Sequence, residues 1–186
     1  MKRQQLLIAI LGAALVTTLG AAGTGSTHDP SNLKVPGGVS FAEFTGYETW
    51  QTISLSHSGD KLAVILGNQT MIEAFKSGIP ENGKPFPDGA KMAKIHWVAE
   101  KRDAYPGQPL VAGTLHDVDF MVKDRKRFAD SAGWGYGTFV YEAASGSFRP
   151  GNSADQPPQG NDAKCGAACH TAAKSRDYVF TEFPKR

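Results

Sequence analysis

Cysteine is scarce in this sequence. The chain has only two cysteines among its 186 residues, Cys165 and Cys169, and both lie close to the C-terminus. A disulfide between them would close a very small loop and would therefore stabilise the fold little. The cysteines do not provide a covalent framework, so the chain must fold around an ordinary hydrophobic core.

An excess of charge of one sign is also absent. The formal net charge is +2, and it falls to 0 without residues 1–22, because Lys2 and Arg3 leave and no acidic residue does. A neutral chain gives no electrostatic argument for binding nucleic acid or anionic lipid. The one basic run, Lys123–Arg127, is interrupted by Asp124, and we expect it to form a solvated start of a helix.

Long apolar runs are missing except at the N-terminus. Lys2 and Arg3 precede an apolar run from Leu6 to Leu19, and small residues at 20–22 suit cleavage. The run is short for a membrane-spanning helix, so residues 1–22 are interpreted as a signal peptide, with a retained N-terminal anchor as the alternative. We therefore expect an exported protein, in bacteria a periplasmic one.

The remaining chain has the length of one domain. Residues 23–38, rich in Gly, Ser, Thr and Pro, predict a flexible leader, and residues 39–186 predict a single folded domain. Alternation and turn residues predict strands at 49–57, 61–66, 90–100, 110–123 and 133–142, a short helix capped by Asn68, a polar loop at 149–164 and a helix from Asp162 to about Lys174. This order predicts the α+β class, an antiparallel sheet with short flanking helices and a C-terminal helix.

The most informative stretch is Lys164–His170, with the sequence KCGAACH. Two thiols next to a histidine are what covalent haem attachment requires, and Cys165 and Cys169, at i and i+4, share one face of a helix. The motif predicts a haem c bound through both thiols, with His170 as the iron ligand. A disulfide or another metal site is the alternative, and the spacing of three residues departs from the usual two.

Three stretches together resemble the cytochrome P-460 family. They are Phe86–Lys94 (FPDGAKMAK), Asp119–Ala129 leading to Trp134, and the haem motif followed by Asp177–Thr181. The resemblance implies a homodimeric periplasmic protein with an antiparallel sheet and a five-coordinate c-type haem. In cytochrome P-460 that haem oxidises hydroxylamine and passes electrons to a redox partner such as a small cytochrome c.

The same resemblance assigns roles to two further residues. Lys94 matches a lysine that is covalently joined to the porphyrin in that family, and Asp119 matches a distal acid that moves protons from the bound substrate. Asp119 stands where hydroxylamine-oxidising members have glutamate, and Leu62 stands where they have a distal arginine. Both differences leave the substrate open. As residues alone, Lys94 could equally be a sheet lysine that reaches water and Asp119 a surface acid.

Other functions remain open from the sequence. The related cytochrome c′-beta binds nitric oxide or carbon monoxide in an apolar pocket without turnover, and Leu62 would suit it. An electron carrier would need a sixth iron ligand, and a haem-free binding module would need a disulfide. His57, His96 and His116 are interpreted as ordinary strand residues, and Met71, Met92 and Met121 as core residues.

Overall fold

A six-stranded antiparallel sheet, with the strands in chain order, forms the centre of the protein. The computed structural model describes residues 29–151 and 163–185. The strands are β1 (Gln51–Ser58), β2 (Lys61–Gly67), β3 (Lys91–Lys101), β4 (Leu110–Lys123), β5 (Trp134–Glu142) and β6 (Ser147–Pro150), and the helices are α1 (Gln69–Lys76) and α2 (Ala163–His170). The predicted α+β class is confirmed. Among the described residues, no helix is both long enough and apolar enough to cross a bilayer.

Short 3₁₀ helices fill the connections. In the described part of the chain these are Pro30–Asn32, Phe41–Phe44, Tyr47–Thr49, Ala129–Ser131 and Thr171–Arg176. The last one continues directly from α2, so the predicted C-terminal helix changes its type after His170. The start of that predicted helix at Asp162 and the predicted signal peptide at residues 1–22 lie outside the described residues.

Helix α1 is joined to the start of strand β3 through its N-cap residue. The side chain of Asn68 accepts hydrogen bonds from the backbone N–H groups of Met71 and Lys91, both at 3.0 Å, so one residue caps the helix and holds the start of β3. The helix ends before Gly78, whose φ of +88° suits glycine. The sequence-based prediction of this capped helix is confirmed.

Each face of the sheet carries its own core. The N-terminal face is covered by residues 33–50, and its core includes Phe41, Phe44 and Phe120. The helix face is covered by α1 and the C-terminal segment, and its core includes Met71, Trp134 and Val179. Because successive strand residues point to opposite faces, the odd-numbered residues of the central part of β4 lie on the helix face.

Three sequence-based predictions are wrong in detail. Residues 29–38 are not a flexible leader, because Val35 is completely buried and packs over Gly137, where a side chain would occupy the same space. The predicted loop at 149–164 begins inside β6. Lys123 does not belong to a solvated basic run, because its side chain is only 2% exposed.

Candidate functional site

A pocket of about 250 Å³ lies on the helix face, between the central strands and the C-terminal segment. Its walls combine apolar side chains with a few polar ones, as is usual in ligand pockets. The lining residues are Ile65, Met92, Lys94, Asp119, Phe120, Met121, Tyr136, Gly137, Thr138, Gly166, Cys169, His170, Val179, Phe180 and Thr181. The pocket therefore contains all of the predicted site residues except Cys165, whose side chain lies outside the described part of the chain.

One cross-strand row forms part of the wall of this pocket. Lys94 pairs with Asp119 across β3 and β4, and Asp119 pairs with Thr138 across β4 and β5. Directly opposed residues in neighbouring antiparallel strands point to the same face, and their Cβ atoms are about 4.5–5.5 Å apart. The register of the sheet, rather than any local sequence motif, brings the lysine and the acid together.

His170, the last residue of α2, contributes an imidazole to the pocket that could bind a metal. Its Nδ1 lies 2.7 Å from the backbone carbonyl oxygen of Tyr178, so Nδ1–H donates to that oxygen and Nε2 carries the free lone pair. Burial lowers the pKa of His170, which favours the neutral form that binds metal. This hydrogen bond at Nδ1 fixes the orientation of the ring, as is usual for histidines that bind a metal through the other nitrogen.

The carbonyl group that holds His170 lies in a tight turn. Asp177 and Tyr178 both have positive φ values, +48° and +65°, which are uncommon for residues with side chains. Lys123 anchors this turn from β4, because its Nζ lies 2.8 and 2.9 Å from the two carboxylate oxygens of Asp177. Trp134 adds a hydrogen bond of 2.8 Å from Nε1 to the carbonyl oxygen of Asp177. The position of His170 therefore depends on the buried ion pair between Lys123 and Asp177.

Helix α2 lies unusually close to β5 at Gly166. A Cβ atom at this position would lie 2.4 Å from Cγ of Tyr136, closer than real side chains approach. Glycine between the two cysteines thus lets the helix approach the sheet, and Cys169 lines the pocket with a free thiol.

Lys94 presents an uncommitted amine to the pocket. Within the described residues its Nζ takes part in no hydrogen bond or ion pair, although its charge acts on both Asp119 and His170. Its side chain is partly buried beside the apolar residues Ile65 and Met92. The amine is thus available to a group bound in the pocket.

Asp119 is held in an environment that favours its protonated form. Thr138 Oγ1 donates a hydrogen bond to its Oδ1. Although 43% of the side-chain surface is accessible, the carboxylate lies deep among protein atoms, and this burial raises its pKa. The negative charge of Asp117 raises the pKa further, against the opposing effects of Thr138 and of the positive charges nearby. A carboxyl group whose pKa is raised takes up a proton more readily than an ordinary aspartate, as a general base must.

A comparison with known protein families identifies the family of the chain. The sequence model of the family described as Cytochrome P460 matches residues 44–181, which is most of the chain. The chain belongs to the cytochrome P460 family. It is accordingly a haem protein of the P460 and c′-beta type, and the suspected family is confirmed. No curated protein matches the chain.

The pocket residues fit the haem that the cytochrome P460 family implies. The hydroxyl group of Tyr136 is buried and is the one buried side-chain polar atom, among the described residues, without a hydrogen-bond partner. Burial also raises its pKa, so it stays a neutral hydroxyl group that can donate to a bound polar group. The Tyr136 ring packs against His170, with centroids 4.7 Å apart. The unpaired hydroxyl group of Tyr136 could bind a polar substituent of a haem, and the oriented imidazole of His170 could bind its iron. The two groups together therefore fit this cofactor.

A second polar cluster adjoins the pocket and was not predicted as part of the site. His96 Nδ1 lies 2.5 Å from Oδ1 of Asp117, and His116 Nδ1 lies 2.5 Å from Oδ2 of the same residue. The Nδ1 of His96 is also 3.7 Å from Oδ2 of Asp119. Burial opposes the charge on Asp117, but the hydrogen bonds and charges of the two histidines outweigh it and lower its pKa.

The structure also places the remaining sequence candidates. Leu62 and Ile65 are three residues apart in β2, so their side chains point to opposite faces of the sheet. Ile65 lines the pocket, and Leu62 therefore lies on the N-terminal face and does not form an apolar wall of the pocket. Met71, Met92 and Met121 are all buried core residues, as predicted, and Met92 and Met121 also line the pocket. The signal that could have revealed the polar cluster is the spacing of Lys94 with His96 and of Asp117 with Asp119, since residues two apart in a strand share a face.

Proposed function

We propose that the protein is a periplasmic haem c enzyme that oxidises hydroxylamine, or a related small nitrogen species, to nitrogen oxides. The observation that carries this proposal is the pairing of Lys94 with Asp119 on the wall of the pocket that also holds His170. A purely apolar pocket would suit a gas. An amine and a carboxyl group of raised pKa suit a substrate that loses protons.

Haem supplies an iron that binds the substrate nitrogen and takes up electrons. The chain supplies everything else. His170 would hold the iron through Nε2, since its Nδ1 is fixed by the carbonyl group of Tyr178. Asp119 takes protons from the N–H and O–H groups of the substrate, and Thr138 keeps its carboxylate in place. Lys94 lies beside this carboxylate, and its uncommitted amine would face a haem held in the pocket, where it would be the group that makes the covalent link implied by the family resemblance.

Attachment and location form part of the same proposal. Cys165 and Cys169 hold the haem through thioethers, which requires export and the attachment machinery of that compartment. The signal peptide for this export would be residues 1–22, with cleavage after residue 22. A homodimer and a small cytochrome c as electron acceptor complete the proposal, and both rest on the family resemblance alone.

Steady-state turnover of hydroxylamine with an artificial electron acceptor tests the proposal. Loss of a general base reduces turnover by roughly 10²–10⁴-fold, so we expect a fall of this size in kcat for Asp119→Asn. Asp130→Asn is the matched control, because Asp130 is an exposed acid outside the pocket. No turnover in the wild-type protein, or equal turnover in both variants, would contradict the proposal.

A gas-binding protein without turnover is the second candidate. Four apolar residues of the pocket favour it, namely Ile65, Met92, Met121 and Phe180. Tight binding of nitric oxide or carbon monoxide by a wild-type protein that does not consume hydroxylamine would select this function. Asp119→Asn would then change gas affinity little, since a neutral diatomic ligand has no proton to give.

A further inference from the structure

We propose that His96 is a positioning residue for Asp119: it neutralises Asp117, the acidic neighbour of Asp119 in β4, and turns its own Nδ1–H group towards the Asp119 carboxyl group. This role deepens the proposed function and rests on it, because only a carboxyl group that still ionises can take protons from a substrate. Its physical basis is a group of four charged side chains on the helix face of the sheet, two of which line the pocket.

The register of β3 and β4 brings these four side chains together. Lys94 lies opposite Asp119, and His96 lies opposite Asp117. Residues two apart in a strand share a face, so each row places a basic side chain across from an acidic one on the helix face. His96 and Asp119 are diagonal neighbours in this arrangement, at a separation of about 7–8 Å that long side chains can span.

Asp117 fixes the imidazole ring of His96. Nδ1 of His96 lies 2.5 Å from Oδ1 of Asp117, so Nδ1–H donates to this carboxylate. The other oxygen of Asp117, Oδ2, accepts from Nδ1 of His116, also at 2.5 Å. The side chains of His96 and Asp117 are both 14% exposed, so bulk water and salt screen the pair little. Nδ1–H of His96 is therefore held on the side where the two carboxylates lie.

The same Nδ1–H group acts on the working oxygen of Asp119. Oδ1 of Asp119 accepts a hydrogen bond from the hydroxyl group of Thr138, so Oδ2 is the oxygen left to take up a proton. Oδ2 lies 3.7 Å from Nδ1 of His96. This distance is longer than a hydrogen bond, but it is within the range in which a positive charge stabilises a carboxylate. His96 thus acts on Oδ2 without occupying it.

This action opposes the effects that keep Asp119 protonated. Burial raises the pKa of Asp119 most, and the negative charge of Asp117, two residues away, raises it further. The positive charges of His96 and Lys94 lower it, together with the hydrogen bond from Thr138. If His96 lost its charge, Asp117 would repel a second negative charge on Asp119 without any compensation from the opposite position in β3.

Other titratable groups lie further from this pair. His170 of α2 is close enough to Asp119 for each charge to affect the other, and Lys94 acts on both of them. His116 lies beyond Asp117, and Asp60, in the turn between β1 and β2, is the acid that its charge affects. Among the described residues, Asp117 and Asp119 are the acids within ion-pair distance of His96.

A pH titration of the resting haem-loaded protein, without substrate, tests this role independently of the reaction. The infrared band of the protonated carboxyl group of Asp119, identified by its loss in Asp119→Asn, gives the pH midpoint at which this group ionises. We expect His96→Gln to raise the midpoint by about one pH unit, because a neutral amide no longer balances Asp117. His57→Gln, which changes an exposed histidine of β1, is the matched control and should leave the midpoint unchanged.

Asp117→Asn separates an electrostatic role from a general disturbance of the site. This variant removes the negative neighbour of Asp119 as well as the anchor of His96, so the midpoint should stay where it is or fall. The pH dependence of hydroxylamine turnover gives a second readout for His96→Gln. The rise of kcat with pH should move upward with the midpoint, while kcat at alkaline pH recovers the wild-type value.

An unchanged midpoint in His96→Gln would overturn the role, because His96 would then have no electrostatic effect on Asp119. A raised midpoint in Asp117→Asn would also overturn it, whether or not His96→Gln folds, because loss of the negative charge would then act in the wrong direction. A raised midpoint in His96→Gln, in a protein that fails to oxidise hydroxylamine, would support the effect of His96 on Asp119 and reject only the reaction.

Discussion

The imidazole Nδ1 of His170 lies 2.7 Å from the backbone carbonyl oxygen of Tyr178, eight residues further along the chain. This hydrogen bond leaves Nε2 as the only ring nitrogen free to bind iron, and it makes the orientation of the ring depend on a strained turn. The turn is held by the buried ion pair between Lys123 and Asp177. Several residues that are remote from the haem motif therefore determine how the motif works.

Removing Lys123 should destabilise the protein strongly. Lys123→Met leaves the carboxylate of Asp177 buried without its partner, and loss of one member of a buried pair costs about 3–5 kcal/mol. Urea unfolding of the haem-loaded protein measures the change in the free energy of unfolding. The variant should also shift the haem absorption spectrum, because the carbonyl group that orients His170 loses its anchor.

Arg125→Met is the matched control for this variant. Arg125 also pairs with an acid, Asp88, but its side chain is 62% exposed, and exposed pairs contribute only about 0–1 kcal/mol. Equal losses of stability in the two variants would contradict the role given to Lys123.

Gly166→Ala should destabilise the protein, although alanine is the better helix former. The new Cβ atom would lie 2.4 Å from Cγ and 2.5 Å from Cβ of Tyr136, and overpacking of this kind costs typically about 1–3 kcal/mol. The measurement is the free energy of unfolding. Ala168→Gly, at an exposed position of α2, gives the cost of a glycine in the same helix, about 1 kcal/mol. A Gly166→Ala variant more stable than the wild type would show that α2 does not lie this close to β5.

The sheet was predictable because its strands carry local signals. The strand predicted at 110–123 matches β4, and the cap at Asn68 is the one predicted. Residues 29–38 were misjudged for a physical reason, since a glycine there serves close packing rather than flexibility. Gly38, for example, approaches the carbonyl oxygen of Tyr136 so closely that a Cβ atom would lie 2.3 Å from it.

The site was only partly predictable. The haem motif is local, so it could be found by eye, whereas Lys94 and Asp119 were found through the family resemblance. Asp117, His116 and Thr138 were missed because their meeting depends on the register of β3, β4 and β5 and on a bulge. Neither register nor bulges can be deduced from alternation alone. Lys123 was misplaced because its partner, Asp177, lies 54 residues away.

Asp119 should make the protein less stable as the pH rises. Its folded-state pKa is raised by burial, so the folded state binds the proton more tightly than the unfolded chain does. The free energy of unfolding then falls as the pH rises above about 4, where an unfolded aspartate titrates. Asp119→Asn removes this fall, so the variant should be the more stable protein at pH 7, by a margin that shrinks towards pH 4.

Asp117→Asn should have the opposite sign at neutral pH. Burial works against its charge, but the two histidines outweigh that effect and lower the pKa of Asp117, so its carboxylate stabilises the fold above its usual titration range. This stabilisation is lost as the pH falls through the lowered pKa. Urea unfolding at several pH values measures both variants, and the same sign at pH 7 for Asp119→Asn and Asp117→Asn would contradict the opposite environments of these neighbours.

The optical spectrum of the ferrous protein, exported in the presence of the haem-attachment machinery, tests the central claim most directly. The account predicts covalently bound haem with a strongly red-shifted, broadened Soret band, because Lys94 is joined to the macrocycle, and a return to an ordinary high-spin band in Lys94→Arg. An ordinary high-spin band in the wild-type protein would contradict the Lys94 link and favour gas binding. A sharp low-spin spectrum would mean a sixth ligand and electron transfer, and a protein without haem absorption would contradict the account as a whole.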